Sequence, residues 1–97
     1  MLPFIDAIKD RDPEFYGLVK RLEDLMGEET SLDKKTKLMI SLAVDACTGA
    51  AEGVASIAGT LRKMGVTDQQ IAEILRIVYF AKGNEVLVTS MAAFRKP

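Results

Sequence analysis

Residues 31–65 read SLDKKTKLMISLAVDACTGAAEGVASIAGTLRKMG, and the fold is decided here. Leu32, Thr36, Met39, Ile40, Ala43 and Cys47 recur at helical spacing along one side. Lys34, Lys37, Ser41, Asp45 and Thr48 make the opposite stripe. The pattern predicts a helix from about Leu32 or Asp33, behind Thr30 and Ser31, to Thr48, with the first stripe packed and the second solvated. Gly49 permits a sharp bend, and a further helix runs from about Ala50 to Met64 before Gly65.

Outward from this hairpin, the punctuation stays helical. Asp12-Pro13 reads as an N-cap with proline in the first turn, where its missing N–H costs nothing. Phe15, Leu18, Val19, Leu22, Leu25 and Met26 then mark one apolar face, and Gly27 closes that helix. A short helical turn after Pro3 is expected within residues 1–9. Downstream, Thr67 followed by Gln70 has capping-box spacing. The helix it opens carries Ile71, Ile74, Leu75 and Val78 inward and is expected to stop at Gly83. A last helix should span Asn84 to Phe94 with Leu87, Val88, Met91 and Phe94 inward. Hairpin signals such as Asn-Gly or Asp-Gly are absent from the sequence. The expected fold class is all-α, about five helices in a single domain, 1–97.

Composition narrows the chemistry. The chain has no histidine and one cysteine, Cys47. A Ser-His-Asp arrangement, a Cys-x-x-C couple and a Cys/His zinc site each need residues it lacks. No metal site and no cofactor are expected. A net charge of −1 with dispersed Lys and Arg offers no field for nucleic acid or a membrane surface. No apolar run reaches the ~20 residues of a membrane span, and residues 1–12 turn acidic too early for a signal peptide. A lone thiol suits a reducing compartment, so the expected location is cytoplasmic. Hydrophobic residues make up 48 % of the chain, more than a domain of 97 residues easily buries. Ile77, Tyr79, Phe80 and Val86 lie off the inward stripes, so self-association is expected.

LDKKTKLMISLAV, residues 32–44, resembles the L-D-x-K-T-[KR]-E-L-I-A-L-A-V opening of the carboxymuconolactone decarboxylase and alkylhydroperoxidase D-like superfamily. KMGVTDQQIAEIL, residues 63–75, is similar to that family's A-G-[AV]-T-x-E-E-I-x-E-x-L. The resemblance covers about 32–94 and implies an alkylhydroperoxidase D-like helical bundle, assembled as a trimer or as a hexamer built from three dimers. Redox members carry N-G-C-x-x-C-x-x-x-H between these two segments. Ungapped, this chain reads TGAAEGVASI over 48–57. Ala50 and Gly53 therefore stand at the two cysteine positions and Ile57 at the histidine position. The spacing i, i+3, i+7 puts three residues on one helical face, and a helix N-terminus stabilises a thiolate there. Here that face reads as ordinary packing surface.

Three side chains near these positions carry a possible role. Cys47 is either a repositioned peroxidatic thiol or a small buried hydrophobe; the second fits better, because no neighbouring cation, histidine or second thiol is evident to activate or resolve it. Glu52 is either a general acid–base group or a first-turn acid complementing the helix dipole, and the second is preferred. Asp45 falls on the polar stripe and reads as solvated. Nine of the fourteen residues from Ala46 to Gly59 are Ala, Gly or Ser. Ala51, Ala55 and Gly59 recur at four-residue steps, which suits close helix packing better than a substrate channel.

The functional expectation is a non-redox, homo-oligomeric member of the resembled family, with a small-molecule pocket near 50–57. Two rivals stand beside it: a lyase or decarboxylase acting on a small organic acid, and an assembly module for a partner protein. The resemblance alone would also suggest peroxiredoxin-type activity, which these residues do not support.

Overall fold

Asp12 opens the first long helix as its spacing predicts: its carboxylate accepts the Phe15 backbone N–H at 3.1 Å, with Pro13 in the first turn. The computed structural model describes residues 3–97. In order these form α1 (Pro3–Asp6), α2 (Pro13–Gly27), α3 (Lys34–Thr48), α4 (Ala51–Lys63), α5 (Asp68–Ser90) and a closing 3-10 turn (Met91–Phe94). No strand occurs among the described residues, and the fold class is all-α. No described helix is long and apolar enough to cross a membrane. Met1 and Leu2, part of the expected N-terminal turn, lie outside the described residues.

Two compact units divide the chain, the boundary falling between Lys37 and Leu38. In the first, α1 packs on α2 and Ile5 is buried. Lys37 holds the far end of α2. Its ammonium donates to the carbonyls of Leu25 at 2.9 Å and Glu28 at 2.8 Å, satisfying acceptors that a helix terminus leaves open. Asp33 caps α3: its carboxylate accepts the Thr36 N–H at 2.7 Å. The apolar stripe of α2 stays largely uncovered, with Phe15, Leu18 and Leu22 all at least half exposed.

The second unit holds the core, in which Leu42, Ala58, Leu61, Val66 and Ile71 are buried together. Leu38, Met39, Val54, Ile57 and Ile74 pack around them. Two glycines with positive φ shape the chain here, Gly49 at +76° and Gly65 at +91°. After α4, the Val66 N–H bonds to Leu61 O and the Gly65 N–H to Arg62 O, each at 3.0 Å. This is a Schellman ending, and the burial of both Leu61 and Val66 supplies its usual apolar contact. Thr67 and Gln70 then form the expected capping box at the start of α5.

Three expectations are corrected. The α3 helix is turned so that Leu42 is its buried residue, while Ile40, Val44 and Cys47 are exposed and Lys37, Ser41 and Asp45 are half-buried. With apolar residues on most sides of α3, core packing rather than periodicity selects the inward face. Gly83 does not end a helix; α5 runs through it for 23 residues. Its φ is not positive, and a glycine inside a helix costs only ~1 kcal/mol. Leu87, Val88, Met91 and Phe94 are consequently not inward: all four are exposed, as is Leu75. Finally, Ala51 and Ala55 are exposed, and the space beside Gly59 is open. Nothing among the described residues packs closely on that small-residue strip.

Candidate functional site

The end of α3 folds back onto the start of α4 through two bonds to one residue. The Ala50 N–H donates to the Asp45 carbonyl at 3.0 Å, a link that the left-handed Gly49 makes reachable. Thr48 adds its hydroxyl, donating to the carbonyls of Val44 at 3.1 Å and Asp45 at 3.3 Å. Held this way, Asp45 projects its carboxylate against Gly53. A β-carbon on Gly53 would collide with Asp45 Oδ2 and stand 3.0 Å from its Cγ. Sequence reading placed Asp45 on a solvated stripe; the structure half-buries it and seats it over the first turn of α4. The free N–H groups and dipole of a helix start favour a negative charge at such a place. The sequence reading missed this pairing; the only trace of it is an acid eight residues ahead of a glycine, across the Gly49 turn.

Ala50, just ahead of α4, and Gly53 and Ile57 on it are all half-buried. Ala50 is the residue before the helix and gives no side-chain cap. Ile57 packs against the core without being fully covered. Glu52 is exposed in the first turn of α4, the setting of a dipole-complementing acid. Cys47 is exposed, which overturns its reading as a buried hydrophobe.

One cation, Lys82, feels the charge of that residue. Lys82, on α5, donates to Glu85 Oε2 at 3.0 Å, and its pKa is held above the usual lysine value. The hydrogen bond to Glu85 is the main cause, the Glu85 charge adds to it, and the field of Cys47 contributes last. Thirty-five positions separate Lys82 from Cys47, so only the folded chain reveals this weak coupling. The Lys82 ammonium is already engaged by Glu85, and no second thiol exists to resolve an oxidised Cys47. What the site can do chemically rests on a carboxylate: accept a hydrogen bond, bind a cation, or move a proton.

The sequence profile of the Carboxymuconolactone decarboxylase family matches residues 13–96. The chain belongs to this family. Among relatives, the uncharacterized protein MJ1511 of Methanocaldococcus jannaschii is 29 % identical over 89 residues, covering 92 % of this chain and 83 % of its own. A second uncharacterized protein of that organism, MJ0742, is 23 % identical over 91 residues, 93 % of this chain and 88 % of its own. No solved structure matches the chain. In this carboxymuconolactone decarboxylase family member, the Asp45 carboxylate occupies the space beside Gly53.

Proposed function

We propose that this chain is a non-redox, homo-oligomeric member of the carboxymuconolactone decarboxylase family whose thiol site has been rebuilt around a carboxylate. One observation carries the reading: the Asp45 side chain fills the space that any side chain at position 53 requires. Loss of a cysteine by substitution alone would leave a gap, but here the gap is occupied. Alanine at position 50 and isoleucine at position 57 remove the other two redox groups. Exposed apolar residues along α2 and α5 support self-association, and the resemblance supplies the trimer or hexamer.

The test is hydroperoxide consumption with dithiothreitol or a dihydrolipoyl donor, comparing wild type with Cys47→Ser. No turnover above background is expected from either. Robust wild-type turnover that disappears in Cys47→Ser overturns the reading.

A lyase acting on a small carboxylic acid is the second reading, and the position of Asp45 favours it. Its carboxylate is half-buried, faces the vacated positions and accepts no hydrogen bond from a described residue. Release of carbon dioxide from a lactone carboxylic acid, present in wild type and lost in Asp45→Asn, would establish it.

A further inference from the structure

Beyond Val78, α5 leaves the core: every residue from Tyr79 to Ser90 is exposed except the half-buried Gly83. Its apolar residues are nevertheless ordered. Ile77 and Asn84 stand seven residues apart on α5, near two full turns, and Met91, seven further on at the start of the closing 3-10 turn, carries the line past the helix end. Phe80 flanks this line on one side and Val88 on the other, each four residues from Asn84. Exposures run from 50 % at Met91 to 79 % at Phe94. The apolar residues from Ile77 to Phe94 expose roughly 700 Å² on this face, taking about 200 Å² for each large side chain. A stable pair needs ~600–1,000 Å² from each partner.

We infer that this face is the contact between two copies of the chain, with their α5 helices antiparallel and Asn84 on the two-fold axis. The inference rests on the homo-oligomeric reading above and specifies its surface. Three features select this occupant and this direction. First, a two-fold centre at Asn84 pairs residues equally far on either side, so Ile77 meets Met91 of the other copy, both seven residues away. Phe80 likewise meets Val88. Second, Asn84 is the one polar side chain on that central line. Against an apolar partner its amide would be stranded, whereas against its own copy donor and acceptor satisfy each other. A single polar residue in an apolar seam fixes register in this way.

Third, the charges at the ends choose the direction. Glu73 and Arg95 each lie eleven residues from Asn84, and both are exposed. Arg95 follows the closing 3-10 turn rather than lying on α5, and antiparallel pairing brings that end of one copy to the Glu73 end of the other. Parallel pairing sets Glu73 against Glu73, and like charges across an interface oppose binding.

Cross-linking with single cysteines tests the arrangement in a Cys47→Ser background. Asn84→Cys should convert most of the chain to a covalent pair under mild oxidation. Glu73→Cys mixed with Arg95→Cys should cross-link through a bifunctional thiol reagent, while Glu73→Cys alone should not cross-link. Cross-linking by Glu73→Cys alone overturns the antiparallel order. If Asn84→Cys stays uncross-linked while light scattering gives a multiple of 10.6 kDa, the surface is wrong and the homo-oligomeric reading survives. A mass of 10.6 kDa for wild type defeats both.

Discussion

The carboxylate of Asp45 lies where the β-carbon of residue 53 would be, so Gly53 is glycine because Asp45 is in the way. This pairing links the last turn of α3 to the first turn of α4. It makes position 53 an unusual helical glycine, since its replacement meets a side chain rather than open solvent. Gly17, on α2, has nothing within 4 Å of its missing β-carbon and sets the contrast.

The first prediction follows from that contrast. Replacing a helical glycine by alanine ordinarily stabilises by ~1 kcal/mol. Gly53→Ala should bring no such gain, because the Asp45 side chain must be displaced. In an Asp45→Ala background the same change should recover the full ~1 kcal/mol. Urea denaturation of the four proteins in the cycle decides it. Equal gains in both backgrounds would mean that the two residues do not compete for space.

Burial grades the second. Leu61 is fully buried and Ile57 only half-buried, although both belong to the same packed region. Leu61→Ala should cost about 2–5 kcal/mol. Ile57→His should cost about 1–2 kcal/mol, since less apolar surface is lost and the imidazole can reach water. Thermal denaturation at one protein concentration ranks them. The reverse order would place Ile57 deep in the core.

Acid sensitivity at the start of α3 is the third. Asp33 has its pKa lowered from 3.8, first by the backbone N–H of Thr36, then by the Thr36 side chain. A depressed carboxyl binds its proton less readily in the folded chain. Its contribution to stability is therefore complete above the unfolded value, near pH 4, and is lost as pH falls through the folded value. Wild type should lose thermal stability more steeply below pH 4 than Asp33→Asn, which caps α3 without titrating. Parallel curves would remove Asp33 from the acid response.

Much of the fold is legible because several of its signals are local. Asp12-Pro13 and the Thr67–Gln70 box each operate within four residues, and both form as their spacing predicts. Gly65 reads as a stop because a helix end wants a left-handed residue, and it has one. Gly83 carries the same letter without the same conformation, and nothing within four residues separates the two cases. The face of α3 was hidden for a different reason. Leu38, Met39, Ile40, Leu42, Ala43 and Val44 are apolar almost all round, so only contact with Leu61 and Val66 picks Leu42. At the site, the positions 50, 53 and 57 could be aligned from sequence, but the closeness of Asp45 to Gly53 depends on the turn at Gly49 that folds α4 back on α3.

Under the proposed pairing, the unbroken passage of α5 through Gly83 makes the number of copies present a variable of folding itself. The inner turns are anchored by Ile71 and Ile74, but the outer turns have no such anchor and are joined to them through the residue that most weakens a helix apart from proline. A helical segment without tertiary support is marginal in water. On dilution the outer turns should therefore exchange their amide hydrogens first, with protection ending near Gly83 while Leu42 and Leu61 remain closed. At high concentration the same amides should slow together, by mass action.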